Sequence, residues 1–162
     1  MRLDSLTLRT IPGTECPAEL WDLRFAVLRE PLGGNPASAR FVGDDLATTQ
    51  HFTAWHEDRM VGCASLMLST TLIPPDLPPH SGVWYQLRGM AVSDAVQGSG
   101  VGRTLLQAID AWSAPNPAIR LWCNAREEAI DFYRKNGWQE IGEIFSIPNV
   151  GPHLRMVRKK ST

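Results

Sequence analysis

The clearest alternation of apolar and polar positions lies in the second half of the chain. Val83 to Val92 is an apolar-rich run of strand length, and Ser93 to Gly102 after it is rich in glycine. Val101, Leu105, Leu106, Ile109 and Trp112 then recur on one helical face, with Arg103, Gln107 and Asp110 opposite. Pro115 and Pro117 stop that helix. Ile119 to Cys123 predicts a short buried strand. Glu127 to Asn136 predicts a helix, with Gly137 as its left-handed cap. Ile141 to Ile147 and Leu154 to Val157 predict two closing strands around a Pro148-Asn149-Val150-Gly151 turn.

The first half is less regular. Leu6, Leu8 and Ile11 among polar residues suggest a strand. Pro17 opens a helix carrying Leu20, Leu23, Val27 and Leu28, which Pro31 and Gly33-Gly34 end. A loop over 35–50, with a short helix near Leu46, leads to a hairpin of Phe52 to His56 and Met60 to Leu68 around Glu57-Asp58-Arg59. Ile73 to His80 holds four prolines and reads as a surface loop. This order of elements predicts a mixed α/β sheet with one parallel pair in a single domain spanning residues 1–162.

Composition narrows the function. A net charge of −1 over 162 residues gives no sign of a nucleic-acid partner. The basic cluster Arg158, Lys159 and Lys160 reads as a solvated tail. Cys16, Cys63 and Cys123 are odd in number and lack a CxxC spacing, so neither a disulfide framework nor a metal site is expected, and a reducing cytoplasm fits. No signal-peptide core precedes the first strand, and no run reaches the roughly 20 apolar residues that span a bilayer.

The chemistry centres on Gln97-Gly98-Ser99-Gly100-Val101-Gly102, between a strand and an amphipathic helix. A helix N-terminus offers unpaired N–H groups and about half a positive charge, and glycine lets a ligand approach closely. That combination seats a diphosphate; without a ligand it is a glycine-rich turn. A dinucleotide GxGxxG fails at Arg103, and a P-loop needs glycine at Gln97 and lysine at Arg103. The pattern Q/R-x-x-G-x-G/A fits completely at Gln97, Gly100 and Gly102.

That pattern is the acetyl-CoA signature of the GNAT superfamily of N-acetyltransferases. The chain resembles this family further over Leu87 to Leu106 (LRGMAVSDAVQGSGVGRTLL) and over Leu121 to Trp138 (LWCNAREEAIDFYRKNGW), where tryptophan replaces the usual final aromatic. The ending Ile147 to Met156 (IPNVGPHLRM) is similar to a subset of the family with such a closing hairpin. Matches are dense over 83–157.

The resemblance implies the GNAT acyl-CoA N-acyltransferase fold: a mostly antiparallel sheet with a splayed parallel pair, flanked by helices. It assigns main-chain contacts with the pantetheine arm to Met90, Ala91 and Val92. It gives the diphosphate to the amides of Gln97, Gly98, Ser99, Gly100, Val101, Gly102 and Arg103. Asn124 reads either as a helix N-cap boxed by Glu127 or as a further hydrogen bond to the pantetheine. Tyr133 reads either as a core aromatic or, within FYxxxGW, as the proton donor to the departing thiolate.

A general base is less legible, because Val83 to Val92 holds no carboxylate where the family often has a glutamate. His153 is one candidate, against a plain exposed histidine; His80 and Glu143 come after it, and a chain of waters would serve equally. Trp84, Gln86 and Arg88 share one strand face and either wall an acceptor pocket or leave Trp84 in the core with Tyr85 exposed. Arg24 reads as solvent-facing, or as a pocket residue. The expected activity is acetyl transfer from acetyl-CoA to a small-molecule or peptide amine, without nucleic acid or membrane, in a monomer or in a homodimer paired through exposed closing strands. The competing readings are a non-catalytic acyl-CoA-binding module and a P-loop nucleotide-binding protein.

Overall fold

The computed structural model describes residues 4–71 and 73–159, so Lys160 lies outside them, and Arg158, expected in a solvated tail, instead ends the last strand and donates to Asp110 at 2.8 and 3.0 Å. Seven strands form one sheet: β1 (Thr7–Pro12), β2 (Gln50–His56), β3 (Arg59–Ser69), β4 (Val83–Val92), β5 (Ile119–Arg126), β6 (Trp138–Ile147) and β7 (Gly151–Arg158). Their order is β1-β2-β3-β4-β5-β7-β6, and only β4 and β5 run parallel. The helices are α1 (Ala18–Leu28), α2 (Val101–Ser113) and α3 (Ile130–Lys135). The mixed sheet and its parallel pair are therefore as the sequence predicts.

The two faces of the sheet bury different things. On one, the α2 residues Val101, Leu105, Leu106 and Ile109 pack with Phe52, Ala54, Ala64, Leu66, Leu87, Cys123 and Met156. Tyr85 belongs to this face, edge-on to Trp112 at 5.2 Å, and is not exposed. On the other face α1 lays Leu20 against Cys63 and Ala91. Trp84 joins Leu77, Trp122 and Val157 there in a smaller cluster. The proline-rich loop over 73–80 thus contributes one core residue, Leu77.

Several local expectations change. Arg24 is fully buried and ion-paired with Asp44. No helix forms near Leu46; the short helix is a 3-10 turn at Pro36–Ala39, capped by the Asn35 side chain accepting from the Ser38 amide at 3.1 Å. The Glu127 to Asn136 helix is a 3-10 turn at Glu127–Ala129 followed by α3. Asn124 is not a helix cap. Strand β5 continues to Arg126 because Asn124, Ala125 and Arg126 find partners in Arg155, Leu154 and His153 of β7. That insertion also places β7 inside the sheet, so only β6 of the two closing strands is an edge.

Candidate active site

The parallel pair parts midway. Strands β4 and β5 stay in register from Val83↔Ile119 to Leu87↔Cys123, and no pairing follows. Beyond that point β4 remains bonded to β3, and β5 to β7. A wedge opens between them, with strand backbone along its walls.

A bulge in β4 sharpens the opening. Ser65 pairs with Arg88 and Cys63 with Ala91, so Gly89 and Met90 together face Ala64. Gly89 sits at φ +65°, and a Cβ there would lie 2.6 Å from Arg24 Nε; only glycine meets both conditions. The extra residue resets the alternation. Trp84, Gln86 and Arg88 point to the α1 face, while Met90 and Val92 pack against the α2 face.

The wedge is a cavity of about 1210 Å³. Of the residues singled out in the sequence, Met90, Val92, Gln97, Gly98, Gly100, Val101, Gly102, Arg103, Asn124, Tyr133 and His153 line it. Ala91 and Ser99 do not. The Ala91 side chain is buried toward α1, and its backbone pairs with Cys63. The Ser99 amide is already bonded to the Val96 carbonyl at 3.2 Å, and its hydroxyl donates to that same oxygen.

At one end stands the glycine turn. The first bond of α2 runs from the Thr104 amide to the Gly100 carbonyl at 3.0 Å, which leaves the amides of Val101, Gly102 and Arg103 without a helical acceptor. Gly98 and Gly100 have φ of +80° and +90°, and a Cβ on either would meet no atom within 4 Å. The space over this turn is open. The Gln97 side chain braces it by donating to Asp94 at 3.0 Å.

Midway along, Asn124 Oδ1 is buried and has no hydrogen-bond partner among the described residues. Tyr133 is 6% exposed, edge-on to Phe132 at 5.3 Å and to Trp138 at 5.6 Å. Its hydroxyl makes no hydrogen bond to a described residue, although the ring lines the cavity. Burial, with Cys123 close by, pushes its phenol well above the usual value, so it keeps its proton at neutral pH. His153 is buried, not exposed. Its Nδ1 lies 2.7 Å from the Gly151 carbonyl, which can only accept. The neutral ring therefore carries its proton on Nδ1, and Nε2 keeps a free lone pair. His80 bonds the Ala118 carbonyl at 2.7 Å, Glu143 is exposed on β6, and neither lines the cavity.

Most of these features, His153 excepted, lie in a region that matches a known family. Residues 47–140 match the acetyltransferase (GNAT) domain model. The chain belongs to the GNAT acetyltransferase family. A 78-residue stretch is 37% identical to the uncharacterized N-acetyltransferase YitI of Bacillus subtilis strain 168, covering 48% of this chain and 52% of that protein. The chain thus matches about half the length of this curated relative. Among solved structures, Escherichia coli ElaA superposes with a TM-score of 0.76 at 21% identity, covering 96% of this chain and all of that one. An acyl-CoA N-acyltransferase from Pseudomonas aeruginosa gives 0.73 at 19%, with the same coverage. At these identities the two structures establish the GNAT fold.

At the α1 end of the cavity the sequence marked Gln86 and Arg88 as possible pocket walls, and both line it, whereas Trp84 is buried in the core. Phe41, Arg29 and Arg126 line it together with Arg88. Behind them, Arg24 donates to Asp44 at 2.7 and 3.1 Å, to the Ala39 carbonyl at 2.8 Å and to Ser65 at 3.0 Å. The Ser65 hydroxyl lies 2.7 Å from His51 Nδ1, and His51 Nε2 lies 2.8 Å from the Asp44 carbonyl. That carbonyl needs a donor, so neutral His51 is protonated on Nε2 and accepts from Ser65. Ser65 and His51 are fully buried, and this pair is a structural tie, not a nucleophile and its base.

Proposed function

We propose that the protein transfers the acetyl group of acetyl-CoA to a primary amine, with Tyr133 and His153 handling the protons. The observation that carries this reading is the wedge between β4 and β5, which has free helix-terminal amides at one end and a protonated, unbonded phenol midway.

The residues present fit the cosubstrate. The amides of Val101, Gly102 and Arg103 and the open space over Gly98 and Gly100 suit a diphosphate. The unpartnered Asn124 Oδ1 and the strand edges at Met90 and Val92 suit the amide groups of a pantetheine arm. Bound there, acetyl-CoA supplies a thioester carbonyl open to attack and a thiol leaving group.

The chain's own residues supply the proton traffic. His153 Nε2 is free to take the proton that the incoming amine must lose. The Tyr133 hydroxyl holds a proton for the departing sulfur. A thiol's pKa is about 8.5 and a phenol's about 10, so the phenol serves through a close hydrogen bond more than by outright ionisation. Packing between Phe132 and Trp138 fixes the ring where it lines the cavity.

The reading is tested by following thiol release from acetyl-CoA with a panel of primary amines. Amine-dependent release with formation of an amide is expected. Acetyl-CoA binding with no turnover of any amine would instead leave a non-catalytic acyl-CoA-binding module.

A further inference from the structure

Three arginines line the α1 end of the cavity without a carboxylate to neutralise them. Arg88 projects from β4, Arg29 follows α1, and Arg126 ends β5. None has an acidic oxygen within 4.0 Å among the described residues. Their protein partners are neutral. Arg88 donates to the Met67 sulfur, at 3.9 Å. Arg29 donates to the Ser38 carbonyl at 3.2 Å and the Leu28 carbonyl at 3.4 Å, and Arg126 to the Leu28 carbonyl at 2.8 Å.

The Phe41 ring gathers two of these arginines together with Arg24. The guanidinium carbons of Arg24, Arg88 and Arg29 lie 3.9, 4.3 and 5.3 Å from its centroid. Arg24 is cancelled by Asp44. The exposed Glu128, on the cavity rim, is the nearby acidic group that acts on Arg126. Three positive charges against one rim carboxylate leave this end of the cavity electropositive. Burial lowers the pKa of both Arg29 and Arg88, with repulsion from Arg126 and Arg24 on the first and from Arg24 and Arg29 on the second, where Asp44 opposes in part.

The diphosphate of the cosubstrate does not explain this cluster, because its seat is the glycine turn ahead of α2. We propose that the acceptor amine itself carries a carboxylate, which Arg88, Arg29 and Arg126 bind while the amine faces His153. Guanidinium forks match the two oxygens of a carboxylate, and Phe41 gives the acceptor's carbon skeleton an apolar surface. This specificity rests on the acetyl-transfer reading above. The predicted acceptors are amino acids or peptides with a free carboxylate near the amine, in preference to amines without an anion.

The test compares matched pairs on the wild-type protein: phenylalanine with phenethylamine, glycylglycine with its C-terminal amide, and phosphoethanolamine with ethanolamine. The carboxylated member of each of the first two pairs should show a higher kcat/KM, by about tenfold to a hundredfold. In Arg88→Met, which keeps the stem packed on Phe41, that preference should shrink toward unity while the Kd for CoA stays unchanged. Arg29→Gln gives an independent check should Arg88→Met unfold. Equal use of charged and neutral partners, or a preference that survives both substitutions, overturns the proposal and leaves acetyl transfer intact. A preference for phosphoethanolamine alone reassigns the cluster to a phosphate and overturns the carboxylate. Failure to bind CoA defeats the acetyl-transfer reading, and this proposal with it.

Discussion

At one end of the cavity the lining is main chain, the first-turn amides of α2 with glycines at 98, 100 and 102. At the other it is side chain, the guanidinium groups of Arg88 and Arg29 over Phe41 with Arg126 beside them, backed by Arg24, Asp44, Ser65 and His51. The first end recognises what the backbone can hold whatever its side chains are, provided the glycines remain. The second depends on cations brought from α1, β4 and β5 and on a buried network that holds them in place. The difference suits a common cosubstrate at one end and a particular acceptor at the other. It also places the two ends in different energetic regimes. Changes at the glycine turn should alter binding, whereas changes behind Phe41 should alter folding.

The largest expected effect sharpens that contrast. Asp44→Ala leaves the Arg24 guanidinium buried without its counter-ion, and should cost about 3–5 kcal/mol in urea unfolding. A loss below about 1 kcal/mol would show that the network is not what holds the α1 end together. Tyr133→Phe removes one oxygen between the two ends. It should lower kcat about 100-fold, with CoA affinity and stability nearly unchanged. Unaltered turnover removes Tyr133 from the mechanism.

Gly100→Val forces a branched residue to φ +90°, which costs about 1–2 kcal/mol, and fills the open space above the turn. CoA affinity should fall about tenfold or more, while the ratio of carboxylated to neutral acceptor use stays as in wild type. A change in that ratio would break the separation of the two ends.

The smallest effect is a pH dependence. Burial lowers the His51 pKa below its usual 6.5, with the Asp44 carbonyl and carboxylate opposing in part. A histidine held neutral in the fold contributes stability above its unfolded pKa, and loses it as pH falls below about 6.5 toward the folded value. Burial alone would raise the Asp44 carboxyl, but Arg24, the Phe41 amide and the Trp21 indole hold it below the usual range. Its contribution is present above pH ~4 and is lost only at stronger acidity. Thermal melts of wild type and His51→Gln should therefore diverge in slope as the pH falls below about 6.5, with the variant flatter. Parallel slopes would mean that His51 does not titrate with folding.

The glycine end was legible because its determinants are contiguous: six residues between a strand and an amphipathic helix. The α1 end was legible only at Gln86 and Arg88 of β4, because its other determinants are scattered. Phe41 and Asp44 lie in an irregular stretch whose role appears only when Arg24 closes on it across 20 residues of chain. Arg24 itself looked solvent-facing because nothing local to α1 supplies its partner. Asn124 was open to reading as a cap because Glu127 stands three residues on, whereas β7, some 30 residues later, extends the strand past it. Gly89 did carry a signal, since a glycine inside a strand run marks a bulge.

The central claim is that the amides ahead of Thr104 grip a diphosphate and aim its thiol arm toward Tyr133. A titration with CoA followed by amide NMR tests it most directly. The largest shifts should fall on Val101, Gly102 and Arg103, with Asn124 next and residues 50–60 unmoved. Saturable shifts confined to another region, or none at millimolar CoA, would contradict it.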